Sequence, residues 1–235
     1  MPKFTTNTKR WESASKAEKH FWLEWKKNVN LDTAKTELMQ RAKKIDKIIH
    51  THSRLKRQKI LHIGPAANGE IHFLKGKRYA IDPLALFFIK TFPQLIDKRV
   101  AYIKGMAENL PYKDSFFDII LILNVLDHCC DPGQAVTEMR RCLKKNGIII
   151  FQVNIYSRFA SILHKFFYYI DPEHPYALTY QFIRNLLKDN KFKVIKEKKC
   201  NLLFTTPNKM KYIFLFLIKY LNLIPRNYQA IIKKL

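Results

Sequence analysis

Three stretches of this chain place small, acidic and imidazole side chains where a nucleoside could be held and a proton moved. The first, Gly64-Pro65-Ala66-Ala67-Asn68-Gly69, directly follows the apolar run Ile60-Leu61-His62-Ile63. Small residues after a buried strand let the backbone approach a ligand closely, although the same pattern also makes a plain tight turn. The second is Asp82, eighteen residues past Gly64, at the end of Arg78-Tyr79-Ala80-Ile81. A carboxylate there can accept hydrogen bonds from both hydroxyls of a ribose, or instead cap a helix beginning near Pro83. Together the turn and the acid point to a nucleoside cofactor without saying which one. The third is Asn124-Val125-Leu126-Asp127-His128, after the apolar run Phe116–Leu123. His128, His174 (in Asp171-Pro172-Glu173-His174-Pro175) and Asp127 are the candidate general bases. Histidine suits that work because its ordinary pKa lies near working pH, yet each of the three could simply bond backbone.

The elements that must position these residues follow from the apolar periodicity. Short runs at 60–63, 78–81, 100–103, 116–123 and 147–153 read as buried strands, and helical patterns at about 69–76, 84–91 and 132–144 separate several of them. Strand alternating with helix implies a doubly wound, mostly parallel sheet with helices on both faces, an α/β Rossmann-like fold. In such sheets ligands bind beyond the carboxyl ends of the strands. A helix at about 179–190, a strand at 192–196, an apolar helix at about 208–223 and a last edge strand at 228–232 bring the expected strands to seven. Residues 1–58 read as an N-terminal helical cap and 59–235 as the main domain, with an aromatic insertion at 155–178. All three tryptophans, Trp11, Trp22 and Trp25, fall in the cap. They either pack amphipathic helices on a core or wall a pocket as a lid.

Composition narrows the class. With 235 residues and 47% hydrophobic side chains the chain can bury a core, which excludes a mainly disordered protein. The formal charge is +24, carried by 32 Lys and only 11 Arg scattered along the chain. Clustered Arg forks would favour a dedicated phosphate reader, so scattered Lys reads first as solvated surface, with nucleic acid and an anionic membrane face behind it. Cys129, Cys130, Cys142 and Cys200 form no CxxC pair, so neither a zinc site nor a disulfide framework is indicated. No metal is expected, and the absence of a secretory signal or spanning segment points to a cytoplasmic protein.

The stretch Gly105-Met106-Ala107-Glu108-Asn109-Leu110-Pro111 through Asp114, Ser115, Phe117 and Asp118 continues into Leu126, His128, Asp131-Pro132, Glu138, Arg140 or Arg141, Leu143, Lys144 and Gly147. Over about residues 59–155 this resembles the class I S-adenosylmethionine-dependent methyltransferases, in the subgroup whose signature reads GDAExLPFxDxSFDxV…LxH…DP. The resemblance implies that Gly64 and Ala66 line the methionine part and ribose of that cofactor and that Asp82 holds the ribose hydroxyls. It implies that Met106 and Ala107 flank the adenine and that Asn124 lies near the sulfonium. Three positions depart from the family's pattern: His62 stands at an acid that helps bind the ammonium group, Ala66 at a glycine and Met106 at an acid that accepts from the adenine amine. Glu108 or a backbone carbonyl is the expected substitute. The product would be S-adenosylhomocysteine.

The acceptor has to be read from what is added to the sheet. The Asn/Asp-Pro-Pro-Tyr/Phe tetrapeptide of many planar-amine methyltransferases does not follow the fourth strand, where Asn124 leads into Val125. The aromatic segment 155–170 and the apolar helix 208–223 suit a hydrophobic or lipid-linked acceptor and peripheral membrane contact, or else pack on each other or across a homodimer. The favoured reading is in-line methyl transfer to oxygen or nitrogen of a small molecule, sugar or lipid-linked glycan. One alternative is an RNA methyltransferase using the basic surface. Another is a methyltransferase-like fold that has lost catalysis and acts as a scaffold or regulator.

Overall fold

The computed structural model describes residues 8–52, 58–167, 176–201 and 225–235. Two long helices come first, α1 (Thr8–Asn28) and α2 (Leu31–His52). They are followed by β1 (Lys59–Ile63), β2 (Lys77–Asp82), α3 (Ala85–Thr91), β3 (Ala101–Lys104), β4 (Phe117–Leu123), α4 (Pro132–Cys142) and β5 (Leu143–Ile155). The chain continues through α5 (Arg158–Phe167), α6 (Tyr180–Asp189), β6 (Phe192–Asn201) and β7 (Arg226–Lys234). The seven strands form one sheet in the order β3-β2-β1-β4-β5-β7-β6. Strands β1 to β5 are parallel, and β7 runs antiparallel between β5 and β6. The final strand is therefore interior rather than the edge expected from the sequence, and β6 takes the edge. The expected helix at 69–76 is also shorter: only the single 3-10 turn Glu70–Phe73 winds there before the chain returns to β2 at Gly76, whose φ is +103°. The apolar helix expected at 208–223 lies outside the described residues.

Burial explains the strand order. Six of the seven residues of β4 are buried, as a central strand covered on both faces requires. One face packs under α4 and α6 through Leu61, Ile120, Ile122, Val136, Met139 and Ile183. The other packs under α2 through Ile60, Ile119, Leu121, Ala42, Ile45 and Ile49. Helix starts are chemically marked. Asp131 Oδ1 accepts from Gln134 N at 3.0 Å ahead of Pro132, and Thr179 Oγ1 accepts from Phe182 N at 3.2 Å.

The N-terminal helices join the same body. Trp22, buried on α1, meets the Trp25, Phe88 and Phe92 rings edge-on at centroid distances of 5.2, 5.4 and 5.8 Å. Arg41 on α2 donates to Asn68 O at 3.1 Å and pairs with Glu70 at 3.2 Å, which ties that helix to the turn after β1. Among the described residues, no helix is long and apolar enough to cross a membrane. Truncating Trp22 removes the central ring of the aromatic cluster. Trp22→Ala is expected to cost about 3–5 kcal/mol of unfolding free energy in urea titrations, as large-to-small core substitutions do. A loss below about 1 kcal/mol would mean that α1 is not anchored there.

Candidate cofactor cleft

A cleft of about 720 Å3, counted out to its open mouth, lies at the carboxyl ends of β1, β2 and β4. This is the position that an open α/β sheet offers to a ligand. Ile63 and Gly64 contribute from β1, Ile81 and Asp82 from β2, and Asn124 and Val125 from β4. Gly105, Met106, Ala107 and Glu108 form another wall, and His128 and Cys129 close a further side. Gly64 has φ +61°, and a Cβ there would stand 2.6 Å from Val125 Cγ2, so only glycine keeps this turn open beside β4.

Asp82 is the polar centre. Its Oδ2 accepts from Ala66 N at 3.1 Å and its Oδ1 from Leu84 N at 2.8 Å. Asp82 therefore does not cap α3, whose N-cap Leu84 has no side-chain cap bond, and each of its carboxylate oxygens retains a second lone pair. Burial pushes the Asp82 carboxyl up to about 6, against the pull of those two amides. Ala66 sits in the left-handed region at φ +49° and is buried. It serves the cleft through its backbone, since its carbonyl accepts from Tyr102 Oη at 3.1 Å, and its side chain is not part of the lining.

Other expected site residues divide. Met106, Ala107 and Asn124 all line the cleft. Glu108 does too, but its Oε1 already accepts from Cys130 N at 2.5 Å and Asp131 N at 3.1 Å, which holds the loop that carries Cys129. His128 lines the cleft, whereas Asp127 beside it does not and is completely buried, with no hydrogen-bond partner on either carboxylate oxygen. Consecutive residues of a 3-10 turn point about 120° apart, so Leu126–His128 can present only one of the two. His174 lies outside the described residues.

His62 does not reach the cleft. Strand alternation sends Ile63 toward the ligand and His62 toward α2, where it feels Arg41 and His72 and its Nδ1 has no hydrogen-bond partner. Burial drives its pKa down to about 3, so it is neutral and cannot serve as the acid's replacement. The wall that the sequence offered only as an alternative for the tryptophans holds for Trp11, which lines the cleft with Ala14, Ser15 and Glu18 from a single face of α1, whereas Trp22 packs on α3. The i, i+3, i+4, i+7 spacing was visible, but nothing local says which surface that face meets.

Residues 76–151 match the family model of the methyltransferase domain. An uncharacterised methyltransferase of Mycobacterium leprae is 33% identical over 64 residues, which are 27% of this chain and 24% of the relative. An uncharacterised protein of Methanocaldococcus jannaschii is 35% identical over 65 residues, covering 27% of this chain and 32% of its own length. The chain thus spans about a quarter to a third of the length of these curated relatives. Among solved structures, an S-adenosylmethionine-dependent methyltransferase of Thermotoga maritima covers 96% of this chain and 99% of its own at TM-score 0.55 and 20% identity. Another from Methanosarcina mazei covers 80% and 97% at TM-score 0.58 and 19% identity. The chain thus shares the α/β fold of these methyltransferase structures, with its cleft at the carboxyl rim of the sheet, and residues 76–151 at the centre of that fold match the methyltransferase domain.

The residues present fit the cofactor that this class implies. The Gly64 turn leaves a cradle that a Cβ would fill, Asp82 offers a carboxylate for a diol, and Met106 and Ala107 give an apolar slot for a base. When bound, S-adenosylmethionine supplies a methyl group on a sulfonium leaving group. Asp82 fixes the pH response. Above about 6 it is ionised and accepts from hydroxyls, and below that it carries a proton. S-adenosylhomocysteine affinity should therefore fall as pH drops through about 6, and Asp82→Asn should bind at least tenfold more weakly with no step in that window. Calorimetry across pH 5–8 checks this, and a step surviving in Asp82→Asn would overturn the assignment to Asp82.

Proposed function

We propose that this protein is an S-adenosylmethionine-dependent methyltransferase that methylates a hydroxyl or amine of a small molecule or sugar. The observation that carries the reading is the charge of the cleft. The chain holds 43 Lys and Arg against 19 Asp and Glu, yet its described lining includes Glu18, Asp82 and Glu108 and no Lys or Arg. An acidic, partly enclosed site suits a cationic cofactor. It disfavours an acceptor that brings phosphate to the reacting centre, because like charges in such a site cost several kcal/mol.

Within this reading Asp82 orients, α1 excludes water, and the His128 imidazole takes the proton that the acceptor's hydroxyl or ammonium gives up. Acceptors on an apolar carrier are included, since α5 leaves β5 at the same rim and exposes Phe159 and Ile162.

Three measurements test the proposal. Calorimetry should show both S-adenosylmethionine and S-adenosylhomocysteine binding, and no heat with either would remove the enzyme reading. Radiolabelled methyl should then pass to a small-molecule cell extract and not to total RNA. Label in RNA, with binding that weakens steeply as salt rises, would overturn the acceptor class. His128→Ala should slow transfer by about 10²–10⁴-fold while S-adenosylhomocysteine affinity stays within a few-fold. Undiminished turnover would sink the imidazole's role.

A further inference from the structure

We propose that a row of side-chain amides beside the cleft, Asn124, Asn227, Asn154, Gln152 and Gln229, binds the methyl acceptor through its hydroxyl groups and selects a neutral sugar ring. The inference rests on the methyltransferase reading above and names, within it, where the acceptor lies and which class it belongs to.

The row starts where an apolar sheet face ends. On β5, Ile148 and Ile150 pack under α2, and the next two residues on that face are Gln152 and Asn154. On β7 the buried Ile231 gives way toward the same rim to Gln229 and Asn227. The antiparallel register sets Gln152 opposite Gln229 and Asn154 opposite Asn227, so the four amides share one patch. Asn124, at the end of β4, joins that patch to the cleft that it lines.

Four hydrogen bonds give the row a direction. Asn227, which is buried, donates through Nδ2 to Asn124 Oδ1 and to Asn154 Oδ1, both at 3.3 Å. Gln229 Nε2 donates to Asn227 Oδ1 at 3.0 Å and to Gln152 Oε1 at 3.4 Å. Each of these two nitrogens carries two N–H groups, and both are used. Asn124, Asn154 and Gln152 therefore accept with their oxygens, and their amide nitrogens have no partner among the described residues. Asn124 and Gln229 are exposed, and Gln152 and Asn154 are half-buried, so these N–H groups can exchange water for a ligand.

The chemistry favours hydroxyls. Several hydroxyls on one ring can accept from fixed N–H groups and donate to the remaining amide lone pairs. An acyl chain over the same patch would leave those N–H groups unpaired, which is costly once water is excluded. Amides carry no charge, and the register puts Lys198 opposite Gln229 on the edge strand, at the far end of the row from Asn124. A phosphate or carboxylate would thus meet no counter-charge from the row at the cleft, where Asp82, Glu18 and Glu108 would repel it.

Saturation-transfer NMR on the full chain with S-adenosylhomocysteine tests this. The probes are neutral methyl glycosides of glucose, galactose, mannose and rhamnose, with methyl glucuronide as the anionic probe and cyclohexanol as a ring with a single hydroxyl. At least one neutral glycoside should be saturated, and cyclohexanol should not. Asn154→Ala should weaken that glycoside about fivefold or more in titration, while S-adenosylhomocysteine affinity by calorimetry stays within twofold. Gln152→Ala should do the same and keeps the test alive if Asn154→Ala folds poorly. No saturation of any neutral glycoside, equal saturation of cyclohexanol, tighter binding of the glucuronide, or full affinity in both variants would overturn the assignment. If S-adenosylhomocysteine does not bind, the methyltransferase reading fails, whereas glycoside saturation recorded without it still reports on the amides.

Discussion

The cleft depends on one carboxylate held between two backbone amides. Asp82 reaches across from the end of β2 to Ala66 N in the turn after β1, and it also accepts from Leu84 N at the start of the next helix. The first of these bonds ties the turn after β1 to the end of β2, beyond the last ladder bond from Gly64 N to Ile81 O at 2.8 Å. The same residue thereby shapes the turn and lines the cleft, at the cost of keeping a carboxylate almost wholly buried, which is why its pKa sits near 6. A buried acid with only two partners retains acceptor capacity, and that remaining capacity is what a ribose diol would use.

The motif that marks the family resemblance turns out to be mostly a clamp. Glu138 Oε2 accepts from Leu110 N at 2.9 Å and from Arg141 at 2.7 Å. Arg141 also donates to Leu110 O and Tyr112 O at 2.9 and 2.7 Å and to Asp114 at 2.8 Å. Glu108 secures the loop at Cys130, and Asp118 joins Lys59 N to Lys144 Nζ at the opposite end of the sheet. Such bonds hold the segment 105–118 rigidly against α4, so that Met106 and Ala107 are presented as a fixed wall. A signature of this kind reports how the cofactor side of the site is braced and carries little about the acceptor.

The sheet was legible because β1, β4 and β5 are buried runs that nothing but a strand of that length explains, and the seven strands and their carboxyl-rim site follow from the alternation with helices. Strand order was less so. The apolar run at 228–232 looks the same whether its neighbours are one or two, and only the antiparallel register with both β5 and β6 shows it to be interior. His62 could have been placed from period-two alternation, since Ile63 and His62 must face opposite ways. The resemblance to an acid position in the family overrode that geometry. The place of Glu18 in the cleft was beyond reach, because it lies 64 positions before Asp82 and the two line one cleft only with α1 docked against α3 through Trp22.

The division of charge between surface and cleft is the last constraint that the structure makes visible. A chain of net charge +24 repels a cationic ligand at long range, but physiological salt screens separated surface charges within about 8 Å. Inside the cleft the screening is weaker and the nearby groups decide. The described lining offers three carboxylates there and no Lys or Arg, so the formal charges nearest a ligand would be acidic ones. Arg41 shows how the cations are kept out: it is consumed by Glu70 and the Asn68 carbonyl on the far side of the turn. A basic exterior and an acidic site are therefore compatible, and the lysines need no role in the chemistry to be tolerated. They require only that the cleft be assembled from its own acids, one of which arrives from α1.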